Sequence, residues 1–153
     1  MCYLLSSDFL EPVVKIATVA GIIIALIQYR KNSQLEKAKW LAELYKKFYE
    51  EPNYKKMRAI LDYPNAHKDE IENLKQNIGK DSEIKLQEEL VDYLNFFEFI
   101  ATLEKLGQLE TGKINLVFGY YIKLLDKHEF VQSFISQNEF KNLQLLITKI
   151  KSL

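Results

Sequence analysis

The chain has 153 residues, enough for one packed domain, and its 48% hydrophobic content with five glycines and three prolines favours helices over an all-β or disordered chain. A formal net charge of zero gives no global reason to expect a nucleic-acid partner. The single cysteine, Cys2, excludes an intrachain disulfide framework and a cysteine zinc site.

Residues 1–12 read as a short extracytoplasmic N-terminus, ahead of the apolar run "VVKIATVAGIIIALIQYRK". Residues 13–29 would form a helix of roughly 26 Å at 1.5 Å per residue, the short edge of the membrane-spanning range. Three features favour a span over the buried core helix of a soluble bundle. Between Ile16 and Ile27 there is no charge, so the helix is apolar all round and not striped. Asp8 and Glu11 precede the run while Arg30, Lys31, Lys37 and Lys39 follow it, and the positive-inside rule then places the C-terminal side in the cytoplasm. Phe9 and Tyr29 stand at the two ends, where interfacial rings belong. A cleavable secretory signal fails on order, because no basic segment precedes the run.

Within the run Ala17, Gly21 and Ala25 recur every four residues, a ridge of small side chains that lets helix backbones approach in lipid and so implies a homo-oligomer. Lys15 lies about 160° round the helix from Ala17, placed to reach headgroups or, in a pore, to line the lumen.

The cytoplasmic part, residues 30–153, begins basic: residues 30–60 hold nine Lys/Arg against four acids, and residues 61–110 hold twelve acids against five lysines. Leu35, Ala38, Leu41, Leu44, Tyr45 and Phe48 repeat at three and four and predict an amphipathic helix whose lysines can touch anionic lipid. Glu51-Pro52-Asn53 should break it, with Asn53 capping a short successor that Pro64 ends. Residues 64–85 are polar and read as an irregular connection.

"LQEELVDYLNFFEFIATLEKLGQL" predicts the central helix. Leu86, Leu90, Tyr93, Leu94, Phe97, Ile100 and Ala101 cover one broad face, extended by Phe96, Phe99, Leu103 and Leu106, with Gly107 as C-cap. Three shorter helices close the chain. The expected architecture is all-α, one N-terminal transmembrane helix followed by a five- to six-helix bundle.

No chemistry-bearing motif is present: no His-Glu-x-x-His, no phosphate loop, no nucleophile elbow, so neither a catalytic residue nor a metal or other cofactor is expected. His67 and His128 sit in a connection and at a helix junction, where solvation is the ordinary state. Asn95 and Glu98 lie among Phe96, Phe97 and Phe99, and a buried carboxylate needs a cation. Arg58, one of only two arginines, is the natural partner, as a structural tie or as a ligand site.

With Arg58, "LNFFEFIA" and "GYY" in view, the chain resembles an uncharacterised family of short bacterial proteins. These have one N-terminal transmembrane helix and a cytoplasmic helical domain whose central helix carries an Asn-aromatic-aromatic-Glu core, here Asn95 to Glu98, followed by a glycine turn, here Gly107. A looser likeness is to ring- or pore-forming membrane accessory proteins of phage-defence systems that work beside RNA-guided ribonucleases. The resemblance implies architecture and no reaction. It leaves three expectations: a non-enzymatic inner-membrane protein that self-associates or docks a cytoplasmic partner in defence or stress signalling, an oligomeric pore, or a soluble bundle with residues 13–29 as its core helix.

Overall fold

The structure, a computed structural model, describes residues 7–78 and 85–153, with side chains from residue 21 onward. Among the described residues there are seven helices and no strand: α1 Ser7–Glu50, α2 Pro52–Asp62, α3 Lys68–Asn77, α4 Lys85–Lys105, α5 Thr111–Lys127, α6 Glu129–Gln137 and α7 Lys141–Lys151. The all-α expectation holds. The chain divides into two compact units, Met1–Trp40 and Leu41–Leu153.

In the first unit the described backbone is helical throughout, all of it within α1. From Gly21 to Lys31 every side chain is exposed, including Ile22, Ile23, Ile24, Leu26 and Ile27 at 52–60%. Among the described residues no helix is long and apolar enough to cross a membrane. The expected span, residues 13–29, begins outside the described side chains, as do Lys15 and Ala17; the expected segment 1–12 lies there too.

The second unit holds the core. Leu41, Leu44 and Phe48, at i, i+3 and i+7, turn one face of α1's last turns inward, and Phe48 is completely buried. α4 is the centre, packed against α2, α3, α5 and α7, and it buries Leu90, Tyr93, Leu94, Phe96, Phe97, Ile100 and Ala101. Its wrapping is less complete than the apolar count suggests. Phe99 is 53% exposed and Leu106 64%, because the 100° step carries them to the side shared with exposed Asp92 and Asn95.

Two local expectations change. α2 begins at Pro52, not behind an Asn53 cap: Glu51 is extended at φ −65°, ψ 121°, the conformation a following proline imposes. Residues 64–85 are not simply irregular, since α3 occupies Lys68–Asn77. Its Ile71 and Leu74 are buried, and Asp69 and Glu70 in its first turn with Lys75 in its last oppose the helix dipole. The expected glycine cap is present: Gly107 has φ +69°, and Gln108 and Leu109 donate backwards to the Leu103 carbonyl at 2.9 and 3.2 Å.

Candidate functional site

Pro52 creates the first polar problem of the bundle. The last regular bond of α1 runs from the Glu51 N–H to the Lys47 carbonyl at 3.0 Å; residue 52, next in line to serve the Phe48 carbonyl, is a proline and has no N–H. Arg58, one turn and a half into α2, supplies the missing donors. Its Nη1 donates to the Phe48 carbonyl and its Nη2 to the Tyr49 carbonyl at 3.4 Å. The guanidinium lies over the rings of Phe48 and Tyr49, 4.6 and 4.8 Å from their centroids, and 5.9 Å from that of Tyr121. Arg58 is thus a buried cation neutralised by the carbonyl end of a helix and by three aromatic faces.

Glu98 meets the opposite need at the opposite kind of helix end. α7 has no acid in its first turn and no side-chain cap of its own. Glu98 reaches across from α4, where Oε2 accepts the Leu143 N–H at 2.7 Å and Oε1 accepts the Asn142 side-chain amide at 2.7 Å and backbone N–H at 3.3 Å. The expected cluster of Arg58, Asn95 and Glu98 is therefore not brought together. The two charges serve separate helix termini, and Asn95 is exposed. A helix end is a partial charge, which a residue pattern shows less plainly than an opposite side chain, and for that reason the pairing read from sequence went to the wrong partner.

Around Arg58 lies a tyrosine cluster. Tyr49 meets Tyr45 at 4.4 Å and Tyr121 at 6.2 Å between ring centroids, and Tyr121 meets Tyr120 at 5.1 Å. Burial, and then a hydrogen bond with Tyr121, raises the Tyr49 hydroxyl above its ordinary value. Tyr120, on the exposed side, donates to Asp62, and that bond raises its own hydroxyl. Tyr93 is the exception. It is fully buried, its hydroxyl has no hydrogen-bond partner, and burial pushes that group well above its ordinary range.

Further polar ties went unread in the sequence. Glu89, 5% exposed, is held by Lys56 at 2.5 Å and joins α4 to α2. Glu104 accepts from Lys149 at 2.8 Å and Thr111 at 2.6 Å; burial would raise its carboxyl, but those bonds outweigh it and leave it below the ordinary glutamate value. His128 is half-buried and not merely solvated: its Nε2 lies 2.8 Å from the Leu61 carbonyl, which requires the N–H there. His67 lies 3.3 Å from Glu70. Among the described residues no group of three His, Cys, Asp or Glu is placed to hold a metal ion.

Of the expected small-residue ridge, Gly21 and Ala25 are described, both exposed on one face one turn apart. A Cβ at Gly21 would meet no atom within 4 Å.

No curated protein and no solved structure matches the chain. A family model does match, over residues 15–136, and its description names no activity. An uncharacterised family is what the resemblance of "LNFFEFIA" and "GYY" implied at its coarsest. By a match that spans most of its length, the chain belongs to the family described as Domain of unknown function (DUF4760).

Proposed function

We propose that the chain is a non-enzymatic, membrane-anchored helical protein, with α1 inserted through residues 13–29 and the Leu41–Leu153 unit in the cytoplasm as a docking domain. The observation that carries the reading is the exposure of Ile22, Ile23, Ile24, Leu26 and Ile27, which together cover about 200° of the α1 circumference, with Gly21 and Ala25 on the remaining face. Five aliphatics within two turns, left in water, would forfeit roughly 1.5–3 kcal/mol each of burial free energy, which hydrocarbon restores. The non-enzymatic part is supported by how the polar groups are used: Arg58, Glu98 and Glu89 are each consumed in holding helices together.

Self-association belongs to the same reading. Ala17, Gly21 and Ala25 would form the contact between spans, and the open space at Gly21 leaves room for a second backbone. A role in bacterial defence or stress signalling is the setting we infer for such an assembly, from the resemblance alone.

Carbonate extraction of membranes followed by mass photometry in detergent tests the reading. The expected result is a carbonate-resistant protein that forms a defined multimer, dissociated by Gly21→Leu. A protein released into the supernatant would make residues 13–29 a soluble helix and remove the anchor.

A further inference from the structure

The cationic end of the exposed apolar run has a chemistry of its own. Tyr29, 74% exposed, closes the run, and Arg30 and Lys31 follow at once, both exposed. Residues 21–35 contain no acid, and the next one, Glu36, is bonded to Lys39 at 3.0 Å. Arg30 and Lys31 stand within about 3 Å of Tyr29 along the helix axis, at the level where an apolar helix meets the polar surface around it. Two cations with no acid in their own turn, fixed beside an apolar run, are complementary to an anion that carries hydrocarbon.

We propose that Arg30 and Lys31 bind the headgroups of anionic phospholipids of the cytoplasmic leaflet, an inference that rests on the anchored reading of α1. An acidic protein would satisfy the charges and leave the adjoining isoleucines uncovered; an anionic lipid satisfies both. A basic residue at an anionic surface contributes about 1 kcal/mol, so the two together favour anionic over zwitterionic lipid by at most about thirtyfold.

The test uses the full-length chain reconstituted in bilayers of phosphatidylcholine with a minor fraction of phosphatidylglycerol, extracted with its surrounding lipid, and the lipid quantified. The expected result is phosphatidylglycerol enriched about fivefold or more over its bulk fraction, falling as salt is raised. The double variant Arg30→Gln, Lys31→Gln should return the ratio to bulk while the protein stays carbonate-resistant. Bulk composition around the parent protein, or undiminished enrichment around the variant, overturns the proposal and leaves the anchor standing. A parent protein that carbonate releases overturns both.

Discussion

Replacing Arg58 with methionine strands the buried Phe48 carbonyl, gives up the weaker bond to the part-buried Tyr49 carbonyl and removes a cation from three rings, a loss of about 3 kcal/mol. Glu98→Gln keeps one acceptor for α7 but gives up the charge at a helix N-terminus, at about 1–2 kcal/mol. The informative quantity is the double-mutant cycle. Since the two side chains share no partner, denaturant melts of both single variants and the double should add within about 0.5 kcal/mol. A coupling above about 1 kcal/mol would mean that the two charges meet after all. Tyr93→Phe behaves differently from either: its hydroxyl is buried without a partner, so urea titration should find the variant within about 0.5 kcal/mol of the parent or more stable. At this scale the sequence showed which polar residues were unusual and misread what they were for. That Arg58 is one of only two arginines among many lysines is visible in a string; that the missing N–H of Pro52 gives Arg58 its task is visible only once residues 48 and 58 are adjacent.

Helices hold one another here through carboxylates set against helix ends and lysines, and α7 depends on them most: Glu98 at its start, Glu104 to Lys149, Asp126 to Lys151 at 2.6 Å. The sign of the pH dependence follows from Glu104. Its carboxyl is lowered in the folded chain, so its contribution is complete above the ordinary glutamate range and is lost as pH falls through the lowered value. Stability measured by thermal melts should therefore decline on acidification, and Glu104→Gln should be less stable than the parent at neutral pH with a shallower decline. Equal slopes in the two proteins would take Glu104 out of the acid response. The helices themselves were legible where apolar period and punctuation agreed, as in α4 with Gly107 behind it. α3 was missed because Ile71 and Leu74 are too few to announce a helix, and their burial against the rest of the unit is what stabilises it.

At the scale of the molecule, the Leu41–Leu153 unit is built round an aromatic centre. Phe48 lies within 5.4 to 5.9 Å of Tyr93, Phe96, Phe97 and Phe118, which joins three helices in one contact set. Phe97→Ala should cost about 3–5 kcal/mol and lower the midpoint of a single transition for this unit, monitored by far-ultraviolet circular dichroism. A loss below about 1 kcal/mol would show that the unit packs loosely around that ring.

By itself the sequence determined the helical class, the central place of α4 and the apolar run that α1 carries, because each is a periodicity or a composition and survives in one dimension. Tertiary structure alone decided what the charges do. Arg58 and Glu98 look like each other's partner in the string, yet each is satisfied by the end of a helix, a partial charge that exists only where backbone dipoles are aligned and brought close.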